Sequence, residues 1–251
     1  MVKAKEKREK KRATSGTASL FGIELITGTK EELLARVTDL LGKGGSVATV
    51  NAEIAYDSLK DEGLRRALGE SLCIPESIGV ELALAVRGIR SATFPGVELG
   101  EAILDVVPLG LAVIGGKPGV ARLALARLCE KHKLVTPIFA LDGYNYTERE
   151  VEELLRKYTP DVVFVCLGSP KQELFISNVR KYSEKSLFLA LGGSADVYSG
   201  MKSRAPRVFR AFRLEWAYRM IREPKRLKRL PKLLRFACKS IAFRDKKVEN
   251  I

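Results

Sequence analysis

Five short stretches carry the residue types from which a site for a phosphate-bearing ligand is built. They are Thr49-Val50-Asn51-Ala52-Glu53, Pro75-Glu76-Ser77-Ile78-Gly79, Gly115-Gly116-Lys117-Pro118-Gly119, Gly168-Ser169-Pro170-Lys171-Gln172-Glu173 and Gly192-Gly193-Ser194-Ala195-Asp196. Glycines, small hydroxyls and helix N-termini gathered at one edge suit a nucleotide, because free backbone N–H groups there face an anion. Each stretch also has a plain structural role open to it. Ser169-Pro170 is a good helix start, and glycines at a tight turn need only backbone freedom.

What is missing narrows the chemistry. The chain has no Gly-x-x-x-x-Gly-Lys-Ser/Thr loop, no Gly-x-Gly-x-x-Gly after its first core strand, and no Asp-x-Asp pair on which a metal could bridge a diphosphate. A leaving diphosphate would need neutralising by another basic element. The single histidine, His132, lies in the polar run EKHK and is expected on the surface, so neither a Ser-His-Asp triad nor a histidine-ligated metal is expected. The four cysteines are widely spaced and form no Cys-x-x-Cys pair, which predicts reduced and mostly buried thiols.

These stretches need elements to hold them. Short β-rich runs at 46–50, 72–74, 111–114, 136–140, 162–167 and 187–191 alternate with helical patterns. Runs as continuously apolar as VVFVC need cover on both faces, so the reading is an α/β fold: a mostly parallel sheet with helices on both sides. Structure is expected to begin at Leu20–Ile26. Capping boxes at Thr29-x-x-Glu32 and Thr147-x-x-Glu150 open helices, the second running to about Tyr158, and Pro95-Gly96 and Asp142-Gly143 mark turns. Ligands of such sheets bind where the strands' carboxyl ends meet helix N-termini, which is where all five stretches fall.

Charge divides the chain into a basic tail (1–18, read as disordered), a core (19–201) and a basic helical appendage (202–251). Residues 202–239 hold fourteen Lys or Arg against Glu215 and Glu223, or +12 of the net +14, while residues 13–201 sum to −4. Phe209, Phe212, Trp216 and Met220 repeat at helical spacing, Pro224 interrupts, and Leu227, Leu230, Leu234 and Ile241 resume. Such an appendage suits an anionic membrane surface, a phosphate-bearing substrate or nucleic acid. The nucleic-acid reading explains the charge but neither the acidic core nor its turns, so no nucleic-acid partner is expected. No apolar run reaches membrane-spanning length, and the basic start lacks the apolar region of a signal peptide, so a cytosolic protein with at most peripheral membrane contact is expected.

The segments NAEIAYDSL, IPESIGVELALAVRG, IGGKPGVARLALARL, DVVFVCLGSPKQE and GGSADVYSGMKSRAPRVFRAFRLEWAYRMIREPKRLKRL together resemble the WecG/TagA/CpsF family of bacterial glycosyltransferases, glycosyltransferase family 26. The likeness extends from about Phe21 to Leu230. It implies a Rossmann-like α/β core and a cofactor-free, metal-independent, inverting transfer of a sugar, commonly N-acetylmannosamine, from a UDP-sugar donor. The acceptor would be a polyprenyl-diphosphate-linked sugar at the cytoplasmic membrane face, in teichoic acid or other surface polysaccharide synthesis. Self-association as a homo-oligomer is left open.

Carried over by position, the resemblance implies roles for Thr49, Asn51 and Gln172 in holding donor and acceptor, and for Asp196 beside the nucleotide. Arg219, Arg226 and Arg229 of the appendage would face the diphosphate. Gly115, Gly116, Gly168, Lys171, Gly192 and Gly193 complete the expected substrate-binding turns. Where the family usually shows Asp-Gly, this chain has Glu76-Ser77. The family's aspartate is the proposed general base; Glu76 keeps a carboxylate of similar solution pKa, about 4.3 against 3.9, on a stem one methylene longer. Its alternatives are a carboxylate capping the next helix, or a lost base in a catalytically dead membrane scaffold.

Overall fold

The computed structural model describes residues 15–206, 208–209 and 215–242, without the side chains of Arg219, Lys225 and Arg226. Phe212 and most of the tail therefore lie outside the described residues. The apolar runs become strands: β1 (Gly16–Leu20), β2 (Ile23–Thr27), β3 (Gly45–Val50), β4 (Leu72–Pro75), β5 (Leu109–Gly115), β6 (Val135–Leu141), β7 (Val162–Cys166) and β8 (Leu187–Ala190). They form one sheet in the order β1-β2-β4-β3-β8-β7-β5-β6, in which only β1 and β2 pair antiparallel.

The start of the chain differs from expectation. Instead of one segment over 20–26, a hairpin turns at Phe21-Gly22, where φ is +57° and +79°. Positive φ at both central residues is the turn geometry whose twist matches paired strands. Its first strand reaches back to Gly16, into the stretch expected to be a disordered tail.

Strand alternation sorts the helices. On one face Val47, Val113, Phe164 and Leu189 pack against α1 (Lys30–Thr38), α5 (Gly96–Leu104), α6 (Val120–Lys131) and α9 (Ser194–Tyr198). On the other, Ala112, Val163, Val165 and Phe188 meet α7 (Glu148–Tyr158) and α8 (Lys171–Val179). At the hairpin end of that second face, Ala48, Val50 and Cys73 meet α2 (Ala52–Asp57), α3 (Glu62–Gly69) and α4 (Ile78–Ala85). Phe164 and Phe188 are fully buried, and truncating such a side chain to alanine costs about 3–5 kcal/mol.

Local signals explain most helix starts. Thr29 and Glu32 form a reciprocal capping box, and Thr147 accepts from the Glu150 N–H. Pro95-Gly96, expected only as a turn, opens α5, with Pro95 at its N-cap. At Ser169-Pro170 the peptide bond is cis, and Pro170 rather than Ser169 is the N-cap of α8.

The appendage comprises α10 (Glu215–Arg222), a 3₁₀ turn (Pro224–Arg229) and α11 (Leu230–Ala242). The break at Pro224 is as expected. On α11, Phe236 and Ser240 are buried, and Phe236 packs edge-on against Phe21 of the hairpin at 5.6 Å between ring centroids. The stripe Leu227, Leu230, Leu234 and Ile241 faces outward, with Leu234 and Ile241 65% and 68% exposed.

His132 is a correction. It is 5% exposed, at the C-cap of α6, with Nδ1 2.6 Å from Asp105 Oδ1 at the C-cap of α5. A partner 27 residues away lets the ring bury despite its polar neighbours. Cys73 and Cys166 are buried as expected, and burial pushes both thiols up to about 12. Cys238 is exposed.

Candidate active site

Adjacent strands β3 and β8 send their chains to opposite faces, β3 to α2 and β8 to α9. That divergence opens a crevice at the strands' carboxyl ends. The loops after β4, β3, β8, β7 and β5 lie side by side there. At about 4.8 Å per strand they span roughly 19 Å, which suits an elongated ligand. All five stretches singled out in the sequence are thus brought to one edge.

Asn51 organises the β3 loop. As N-cap of α2, its Oδ1 accepts the N–H groups of Glu53 and Ile54 at 3.0 and 3.1 Å. Two donors on one side fix the carboxamide, so its nitrogen must point away. Nδ2 donates to Glu76 Oε2 at 3.0 Å.

Glu76 is held by its surroundings. Its N–H donates to the Val50 carbonyl, and Oε1 lies 3.5 Å from the Gly96 N–H at the start of α5. The N-cap of α4 is Ser77, which makes no side-chain capping bond. The carboxylate therefore looks across the crevice to Asn51 and α5.

Tyr198 of α9 secures α5, donating to the Val97 carbonyl at 2.9 Å. Thr49 lies beneath, 3% exposed, its hydroxyl donating to the Ala190 carbonyl at 3.1 Å. It joins β3 to β8 under the crevice floor.

Gln172 links two further loops. It is 2% exposed; its Oε1 accepts the Gly192 N–H at 2.8 Å and its Nε2 donates to Glu173 Oε1 at 2.9 Å. Burial pushes the Glu173 carboxyl above the usual range, against the Gln172 hydrogen bond that lowers it. Lys171 Nζ donates to the Gly143 carbonyl at 3.0 Å, and the Gly143 N–H donates to Gly116 at 2.8 Å. The loops after β5, β6 and β7 are thereby tied together.

The glycines divide into two kinds. A Cβ on Gly115 would stand 2.3 Å from the Cys166 carbonyl oxygen, so packing alone demands glycine there. Gly168 and Gly192 have φ of +76° and +57° but open space around them, as does Gly193, which leaves room for a ligand. Asp196, in the first turn of α9, pairs with Lys202 at 2.8 Å.

Of the appendage arginines, Arg229 is brought to the site's rim, 3.2 Å from Glu53 in the first turn of α2. The side chains of Arg219 and Arg226 lie outside the described residues. Sequence reasoning missed Gly96, Tyr198, Glu98 and Arg204, whose partners are remote in the chain. Among the described residues no three of His, Cys, Asp and Glu converge as a metal site. A polar cavity of about 540 Å³, lined by residues such as Arg156, Asp161, Lys181 and Ser186, opens at the opposite edge of the sheet, away from these groups.

Comparison with known proteins gives the arrangement its context. Residues 18–249 match the model of the glycosyl transferase WecG/TagA/CpsF family. Two relatives are each named N-acetylglucosaminyldiphosphoundecaprenol N-acetyl-beta-D-mannosaminyltransferase. The protein from Bacillus spizizenii is 32% identical over 194 residues, 75% of each chain. That from Bacillus subtilis strain 168 is 32% identical over 199 residues, 77% of this chain and 78% of its own. The chain, with its parallel sheet, its carboxyl-edge crevice and its helical appendage, belongs to the WecG/TagA/CpsF family and is a glycosyltransferase.

Proposed function

We propose that the protein transfers a sugar, N-acetylmannosamine first among candidates, from a UDP-sugar to a polyprenyl-diphosphate-linked sugar during cell-wall or surface polysaccharide synthesis. The names of its two relatives support the sugar and the acceptor class. The observation that carries the reading is the Glu76 carboxylate, oriented by Asn51 at the crevice where the glycine turns converge.

The mechanism is a single displacement. Glu76 takes the proton from the acceptor hydroxyl, whose oxygen bonds to the anomeric carbon as the bond to the diphosphate breaks. UDP leaves and the configuration inverts. The open turns at Gly168, Gly192 and Gly193, with Gly115 and Gly116 behind them, bear on the nucleotide alongside Asp196. Asn51 aligns the base, while Thr49, Gln172 and Lys171 hold the loops in register. Arg219, Arg226 and Arg229 spread the developing diphosphate charge, the role a metal ion serves elsewhere.

Membrane attachment is peripheral and on the cytoplasmic side in this reading. No described helix is long and apolar enough to cross a membrane. The outward stripe of α11, beside Arg235 and Lys239, suits an anionic lipid surface.

The decisive experiment offers UDP-N-acetylmannosamine, UDP-N-acetylglucosamine and UDP-glucose in turn with a short-chain polyprenyl-diphosphate N-acetylglucosamine. Mass spectrometry and the anomeric coupling read the product. A β-linked disaccharide formed in EDTA is expected; no transfer from any donor overturns the proposal, and a rate that collapses with chelator overturns its metal-free step.

A further inference from the structure

Among the described residues, two sets of contacts fasten the appendage helices to the core. At the far one, Arg229 meets Glu53, Lys232 pairs with Asp57, and Phe236 buries against Phe21. At the near one, a single guanidinium stands between two carboxylates. Arg204 Nη2 donates to Glu98 Oε1 at 2.9 Å and lies 3.7 Å from Glu215 Oε2. The other oxygen of Glu98 accepts from Lys30 Nζ at 2.6 Å.

Position makes this second fastening informative. Glu98 is in the first turn of α5, two residues after Gly96, whose N–H faces Glu76. Glu215 is the first residue of α10, the helix that carries Arg219. One side chain therefore ties the element behind the candidate base to the element that bears a candidate diphosphate ligand. The side chains of Arg204, Glu98 and Glu215 are 17%, 30% and 22% exposed, so solvent screens these pairs less than a surface bridge. Ala205, next in the chain, is 3% exposed and anchors the backbone at the same point.

We propose that Arg204 is a positioning residue of the transfer reaction: it clamps α10 to α5 so that Glu76 and the appendage arginines are held in one frame. The inference rests on the function proposed above. Its force comes from geometry, since a misplacement near 1 Å at a reacting centre costs on the order of 10²-fold in rate. A planar guanidinium with several fixed donors can bridge two carboxylates in a way that a lysine ammonium reproduces only in part.

The test compares Arg204→Met, Arg204→Lys, Lys30→Met and Arg219→Ala in the full chain. Arg204→Met is expected to lower kcat by about 10²-fold, with Arg204→Lys recovering part of the loss. Lys30→Met, which strips Glu98 of its other partner without touching the appendage, should stay near the wild-type rate. Adding Arg219→Ala to Arg204→Met should lower the rate little further, because both act through α10. Hydrogen exchange of the amides over 215–222 should quicken in Arg204→Met while that of the sheet does not.

Unchanged kcat in Arg204→Met, equal losses in Arg204→Met and Lys30→Met, losses that multiply with Arg219→Ala, or unaltered exchange over α10 would each overturn the proposal. If the wild-type protein transfers no sugar, the function reading fails, and the exchange experiment still judges the clamp.

Discussion

Asn51 and Glu76, 25 residues apart on neighbouring strand ends, are joined by a 3.0 Å hydrogen bond whose direction is set by α2. Capping the helix and orienting the carboxylate are one act of one side chain. The two functions separate by substitution. Asn51→Ser keeps a capping oxygen but has no nitrogen to reach Glu76, so stability should hold within a few tenths of a kcal/mol while turnover falls about 10-fold or more. Asn51→Ala should lose turnover and also about 1 kcal/mol of stability. Equal turnover in the Ser variant and the wild type would remove Asn51 from the mechanism. Glu76→Gln should abolish turnover yet leave UDP binding, read by calorimetry, unchanged.

The glycine turns make a second contrast. Gly115→Ala places a methyl group 2.3 Å from the Cys166 carbonyl at φ of +130°, which should cost about 2 kcal/mol or more and lower Tm by roughly 4–8 °C. Gly192→Ala meets no atom within 4 Å and strains only its φ, for about 1 kcal/mol. Its larger effect should be on UDP affinity. A Gly192→Ala protein that binds UDP normally would move the nucleotide away from the β8 turn.

Two carboxylates should tie stability to pH with opposite signs. Burial raises Glu98, but the Lys30 ammonium and the Arg204 guanidinium outweigh it and hold the carboxyl below the usual range. Its contribution is present above the ordinary glutamate pKa and lost as pH falls through the folded value, so the Tm cost of Glu98→Gln should shrink in acid. Glu173 is raised by burial, so its ionisation destabilises the fold as pH rises past the ordinary value. Glu173→Gln should therefore melt higher than wild type near about pH 8 and converge with it near about pH 4.

The outward stripe of α11 gives a prediction free of catalysis. Because Leu234 and Ile241 are mostly exposed, replacing both with serine should leave Tm nearly unchanged. It should also weaken binding to anionic vesicles at least 10-fold, since a buried Leu or Ile contributes about 1.5–3 kcal/mol. Undiminished co-sedimentation of the double variant would exclude the stripe as the membrane-facing surface.

Much of this was legible in the residues because the signals are local. VVFVC demands a covered strand, and Thr29 and Glu32 specify their own helix start. What could not be read was pairing at a distance. The second appendage helix has two apolar faces, and contacts with remote parts of the core, the hairpin ring of Phe21 among them, turn Phe236 inward while Leu234 and Ile241 turn out. Nothing in the residues around Glu76 foretells that Asn51, 25 positions earlier, is set beside it. The polar run around His132 suggests the surface for the same reason, since its partner Asp105 lies at the end of another helix.

The contact between Phe21 and Phe236 also orders events during synthesis. At about 5–20 residues per second, the hairpin leaves the ribosome roughly 10–40 s before the helix that covers it. Through that interval the hairpin's apolar side is without its final partner. Emergence of α11, rather than emergence of the sheet, closes this part of the core.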